Sequence, residues 1–280
     1  MSAAGPVGPR DAMEFINEQD EATLRRFVDR LEARGADPVF TGYREEYFDR
    51  AALTSARTVL EVGCGTGLIA RALAGRKGFG GRVTAVDQSP VLVDAARRLS
   101  AAEGVDGRID FLVGDAHALD LPGGTFDAVI AHTLISHVGD PLTVLREAAR
   151  VVRPGGTVTV FDGDYASLSF GGADAALGQA MEQALLAVIV SKPRVMRDLP
   201  RVLVAAGLRT TFVRAHVHAE VGTGAFFPGM LDAFAPLISR AGLLPAERVD
   251  GWLAEQRRAM ADGTFFAACN YYTYIAERRS

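Results

Sequence analysis

Apolar residues recur along this chain in two rhythms. Short runs in which most positions are apolar occur at 58–62, 83–87, 109–113, 126–131 and 157–162. Between them, 66–75, 90–102 and 141–151 carry apolar residues at helical spacing. Strands alternating with helices imply right-handed crossovers and a parallel sheet covered on both faces. Ligands of such sheets bind at the carboxyl ends of the strands. Upstream, 11–34 reads as one helix striped by Phe15, Ile16, Leu24, Phe27, Val28 and Leu31. Gly35, Asp37 and Pro38 interrupt it, and a second helix follows at 42–52. The region 11–54 is therefore expected to be a helical cap across the ligand cleft. Residues 1–10 are expected to be a disordered start.

The pattern changes after the fifth strand. Helices are expected at 173–190 and 194–206, the latter ending at Gly207, and strands at 208–217 and 265–276. Residues 55–222 plus 264–280 then form the α/β domain. The apolar segment 223–263 is an insert, rich in Phe226, Phe227, Met230, Leu231, Phe234 and Trp252. It reads as a helical lid walling an acceptor pocket. A homodimer contact or a core extension would use the same residues.

The chemistry concentrates in Val59-Leu-Glu61-Val-Gly63-Cys-Gly65-Thr-Gly67. An apolar strand ends in a carboxylate, then three glycines alternate before a helix. Glycine lets backbone approach a ligand where a Cβ would clash. The spacing is G-x-G-x-G, with Leu68 where the dinucleotide fingerprint has its third glycine, and no Lys-Ser pair follows as in a P-loop. Glu61 beside the turn would repel a pyrophosphate. It would attract a cofactor with a cationic amino group, and S-adenosylmethionine has that group and no phosphate.

Glu61–Gly67 resembles the first motif of class I S-adenosylmethionine-dependent methyltransferases. Further segments agree in order: Val83–Asp87, Gly114-Asp115-Ala116, Phe126–Ile130 and Arg150–Gly156. The similarity is nearest to the ubiquinone/menaquinone-biosynthesis type acting on small molecules and covers residues 55–165. It implies a Rossmann-like, seven-stranded, mostly parallel sheet whose last two strands are partly antiparallel. It also implies S-adenosyl-L-methionine as cofactor and S-adenosyl-L-homocysteine as product.

Site residues follow from that resemblance. Gly63, Gly65 and Gly67 would give close approach, and Glu61 would meet the methionine amino group. Asp87, at a strand end, would accept both ribose hydroxyls, with Gln88 flanking the adenosine. Asp115 would take the adenine amino group, with Ala116 and His117 along the ring. The backbone carbonyl of His132 would face the methionine amino group. Arg44, with Tyr43, would reach the methionine carboxylate.

Methyl transfer from a sulfonium needs alignment and exclusion of water, and a hydroxyl or carbon acceptor also needs a base. His137 is the first candidate base, with a packing or capping role as its alternative. His132 and Asp162 are further candidates, and Asp164 and Tyr165 lie on the same turn. His216 and His218 alternate on one strand, lack a third ligand, and read as a strand-surface pair rather than a metal site.

Composition narrows the partners. The chain has 280 residues, 49% hydrophobic, with net charge −4 and no basic stripe. Neither nucleic acid nor a membrane is expected, and the location is expected to be cytoplasmic. Cys64 and Cys269 are expected as reduced thiols. The apolar insert favours an apolar or aromatic small acceptor, a specialised metabolite methylated at O, N or C. A cyclase or isomerase on the same fold, or a non-catalytic cofactor-binding protein, would carry the same motifs.

Overall fold

The structure is a computed structural model and describes residues 11–279. The segment 1–10, expected as a disordered start, lies outside the described residues. Seven strands form one sheet in the order β3-β2-β1-β4-β5-β7-β6. They are β1 (Thr58–Val62), β2 (Arg82–Asp87), β3 (Ile109–Val113), β4 (Phe126–His132), β5 (Val152–Phe170), β6 (Leu208–Gly222) and β7 (Phe265–Arg278). β1 through β5 pair in parallel, and β7 runs antiparallel to both β5 and β6. The strand order reverses between β1 and β4, which opens a crevice at their carboxyl ends.

The helices are α1 (Glu21–Ala36), α2 (Pro38–Arg50), α3 (Leu68–Ala74), α4 (Pro90–Ala102), α5 (Pro141–Val151), α6 (Ala175–Ile189), α7 (Val195–Ala205), α8 (Phe226–Arg240) and α9 (Ala246–Ala261). Alternate residues of β1 serve opposite faces. Val59 packs with residues of α3, α4, α6 and α8, while Leu60 and Val62 pack with those of α5 and α7. Burial on both faces explains why β1 and β4 read as continuous apolar runs. Among the described residues, no helix is long and apolar enough to cross a membrane.

One device starts three helices. Asp37-Pro38, Ser89-Pro90 and Asp140-Pro141 each place a capping oxygen on a free amide and a proline in the first turn. This corrects the expected second helix at 42–52, which spans Pro38–Arg50. Pro38 begins α2 rather than breaking a helix, so α1 runs through Gly35 to Ala36. The expected single helix over 11–34 is also divided. Asp20 accepts from the Thr23 amide at 2.7 Å and starts α1, worth about 1 kcal/mol for such a cap. Residues 11–19 form turns and a short 3-10 segment instead. β5 is far longer than the expected 157–162, because its second half pairs with β7.

The insert folds as α8 and α9. α8 buries nine side chains and packs on α1, α6 and α9. His216 and His218 are not a surface pair. Both are buried on β6 among aromatic rings: His216 lies 4.2 Å from Tyr43 and His218 lies 5.0 Å from Phe40, centroid to centroid.

Candidate functional site

The turn after β1 takes a path that requires glycine. Gly63 and Gly67 have φ of 69° and 74°, a left-handed conformation that Cβ-bearing residues avoid. A Cβ on Gly63 would also stand 2.6 Å from Leu134, and one on Gly67 would stand 2.7 Å from Phe111. The turn and the loop after β4 are thus pressed together across the crevice.

A cleft opens there. Its floor includes Glu61, Gly63, Gly65, Asp87, Gln88, Asp115, Ala116, His117 and His132. Of the expected cofactor contacts, Gly67 and Arg44 do not line it. Gly67 acts one step back, as the residue from which α3 starts. Arg44 turns to Glu45 at 3.4 Å. Arg34 from α1 stands in the cleft instead. In sequence Arg34 is only a polar position on an amphipathic helix, a signal too common to single it out.

Two buried carboxylates shape the cleft. Asp87 accepts the Gly65 amide at 2.7 Å and the Ser89 amide at 2.9 Å. Each oxygen keeps a lone pair for a ligand donor. Burial raises its pKa. Glu61 accepts the Ala70 amide at 2.9 Å, inside the first turn of α3. Burial pushes Glu61 up to about 8, with Asp87 adding to the shift and Arg71 opposing it. Asp115 is exposed. Partial burial acts to raise its pKa, but the amide and ring of His117, both at 2.8 Å, hold it below the ordinary carboxylate range.

Residues 11–19 lie over the cleft as a strap. Met13, Glu14 and Ile16 line it. Gln88 fastens the strap by donating to the Glu14 carbonyl at 3.0 Å and accepting from Asn17 at 3.1 Å. The apolar stripe read into 11–34 thus mixes two segments with different jobs.

A second, smaller cavity of about 40 Å³ adjoins the first. Met13, Leu31, Arg34, Thr133 and His137 line both. Phe27, Arg30, Tyr165, Ile189 and Phe234 complete the smaller one. The insert therefore reaches it through Phe234. A 150 Å³ cavity is the size that takes a benzene ring, so an acceptor needs α1 and α8 to part.

His137 stands on the shared wall. Its Nδ1 lies 3.0 Å from Asp11 Oδ2. Asp11 is buried and also accepts the Met13 and Ser191 amides, both at 2.8 Å. Burial acts to lower the His137 pKa, but the Asp11 carboxylate outweighs it and holds the pKa above the ordinary histidine value. With Nδ1 engaged, Nε2 is the nitrogen left for a substrate proton. Sequence reading missed Asp11, 126 positions away, because only the folded strap brings it in.

The other two candidate bases are placed differently. His132 lines the cleft, stacks on Phe161 at 4.7 Å and meets the Tyr47 hydroxyl at 3.0 Å. Burial, with Arg34 and Arg44, drives its pKa well below the ordinary value, so it stays neutral. Asp162 lines neither cavity. It accepts from the Ser136 amide and hydroxyl, both at 2.9 Å, and from the Gly163 amide at 2.8 Å. These bonds pin the loop that carries His137. Thr133 in that loop has φ of 51°, a strained setting for a β-branched residue. Its amide donates to Phe161 at 2.6 Å and its hydroxyl accepts from Arg34 at 2.7 Å.

Residues 60–160 match the family described as "Methyltransferase domain". The chain is 30% identical over 237 residues to an uncharacterized 37.1 kDa protein in transposon TN4556 of Streptomyces fradiae, covering 84% of this chain and 66% of the relative. It is 42% identical over 111 residues to a ubiquinone biosynthesis O-methyltransferase of Xanthomonas campestris, covering 39% of this chain and 44% of that one. The chain thus spans just under two thirds of the first relative and less than half of the second. A crystal structure of a putative methyltransferase from Bacillus halodurans superposes with TM-score 0.59 at 18% identity, over 85% of this chain and 99% of that one. The cyclase SpnF superposes with TM-score 0.55 at 22% identity, over 86% of this chain and 82% of that one. These two show the shared fold.

Proposed function

We propose that this chain is a class I S-adenosylmethionine-dependent methyltransferase, in keeping with its matching domain and its sheet, and that it methylates a small molecule held between α1 and α8, with His137 as general base. The observation that carries the reading is the wall common to the two cavities. A methyl group delivered from the cleft and an acceptor in the smaller cavity meet at His137.

The residues fit the cofactor. The glycine turn admits the methionine portion, Asp87 keeps lone pairs for the ribose hydroxyls, and Asp115 and Ala116 lie where the adenine would extend. Glu61 complements the ammonium group, and Arg34 lies within the cleft to meet the carboxylate. When bound, the cofactor supplies an electrophilic methyl carbon.

The chain's own part is to bind, orient and exclude water. His137 Nε2 takes the proton from the acceptor nucleophile as the bond to carbon forms, and Asp11 stabilises the resulting imidazolium. Neutral His132 keeps a second positive charge away from the sulfonium. A base suits an oxygen or acidic carbon nucleophile better than a neutral amine, so O- or C-methylation is the favoured form. The reading is tested by incubating the protein and S-adenosylmethionine with phenolic and enolic acceptors and measuring S-adenosylhomocysteine. Stoichiometric release with a mass gain of one methyl group supports it. Conversion of an acceptor without release would point to a cyclase or isomerase.

A further inference from the structure

The small cavity carries charge that its apolar walls do not explain. Arg30 and Arg34 stand one turn apart on α1, and both line it. Among the described residues, neither guanidinium forms an ion pair. Elsewhere the chain pairs its arginines closely: Arg71 with Glu32 at 2.7 Å, Arg197 with Asp164 at 2.8 Å, and Arg153 with Asp127 at 2.7 Å.

Arg34 gives one hydrogen bond to Thr133, and its Nε is buried without a partner. Arg30 lays its face over Phe226 at 4.9 Å and Phe234 at 5.4 Å. That cation–π contact occupies the plane of the guanidinium and leaves its edge donors unused. Withdrawal from water, together with the Arg34 charge, brings Arg30 down to about 10. Two like charges half-buried side by side without a counter-ion are unfavourable. An anion between them would repay that cost through charge-assisted bonds.

We propose that this cavity binds an acceptor bearing an anionic oxygen group, a carboxylate or a phosphate, on an apolar body. Arg30 holds the anion, Arg34 adds its field from the shared wall while it engages the cofactor carboxylate, and Phe27, Leu31, Ile189 and Phe234 hold the body. The proposal rests on the methyltransferase reading, because it assigns a charge to that enzyme's acceptor. It replaces the uncharged pocket expected from the insert, since the charge comes from α1. Arg34 touches both cavities, whereas Arg30 belongs to the acceptor side alone, so the test uses Arg30.

The protein is saturated with S-adenosylhomocysteine and titrated calorimetrically with octanoate, octyl phosphate and octanol, which share one tail. At least one anion is expected to bind ten times more tightly than octanol, and the better anion names the head group. Arg30→Met should remove most of that preference and Arg30→Lys should keep part of it, both with S-adenosylhomocysteine affinity unchanged, which also reports folding. Octanol binding as tightly as both anions would overturn the proposal. So would undetectable binding of both anions at millimolar concentration, or a preference undiminished in Arg30→Met. Failure of S-adenosylhomocysteine itself to bind would overturn the methyltransferase reading, and this proposal with it.

Discussion

His137 and Asp11 meet at 3.0 Å across 126 positions of sequence, joining the loop after β4 to the strap over the cleft. The carboxylate orients the imidazole and raises its pKa. A general base works in its neutral form, so the rate should rise as pH climbs through this raised value. Asp11→Asn removes the charge and should move that limb to lower pH, while the plateau of kcat falls about tenfold or more. The pH profiles of the two proteins check this, and coincident profiles would remove Asp11 from the mechanism. His137→Ala should lose most turnover and keep cofactor affinity.

Asp87→Ala should weaken S-adenosylhomocysteine by more than about tenfold, the loss of charge-assisted hydrogen bonds. The variant also frees the Gly65 and Ser89 amides, so Asp87→Asn is the gentler comparison. Calorimetry reads both. Unchanged affinity in Asp87→Ala would dismiss the ribose contact.

Glu61 predicts a pH-dependent affinity. Its folded pKa of about 8 means that a proton occupies it at neutrality, whereas an ammonium group prefers the carboxylate. Cofactor affinity should therefore rise between about pH 6.5 and 8.5, with protons released on binding. In Glu61→Gln the dependence should flatten. The unfolded chain ionises this group near 4.5 and the folded chain near 8. Its contribution to stability without cofactor is thus full below 4.5 and is lost as pH rises to 8. Thermal melts with and without S-adenosylhomocysteine separate the two effects.

Phe234→Ala should enlarge the acceptor cavity and shift KM and acceptor preference toward bulkier molecules, leaving cofactor affinity alone. It also removes the contact with Phe27 at 5.5 Å and should cost about 3–5 kcal/mol of stability. Deleting the insert would be uninformative, because α8 belongs to the core. An unchanged acceptor spectrum would place the acceptor elsewhere.

The α/β core was legible because each element carries its own local signal. Continuous apolar runs mark β1 and β4, Ser89 caps the helix that Pro90 begins, and the glycines of the first turn stand at fixed spacing. Asp87, Asp115 and Ala116 could be placed for the same reason: they close strands whose register the pattern fixes. What could not be read depends on long-range docking. Nothing near Asp11 announces His137, and nothing in α1 separates Arg30 and Arg34 from its other arginines. Arg44 has the residue type expected of a carboxylate anchor, but α2 turns it to Glu45, and only the packing of α1 brings Arg34 into the cleft. Asp162 has the chemistry of a base and the surroundings of a brace.

The strap has a kinetic implication. Lifting residues 11–19 uncovers the cleft and in the same movement parts Asp11 from His137. If the proposed enzyme exchanges spent cofactor for fresh by that movement, its imidazole is unaligned meanwhile, and methylation waits until the exchange is over.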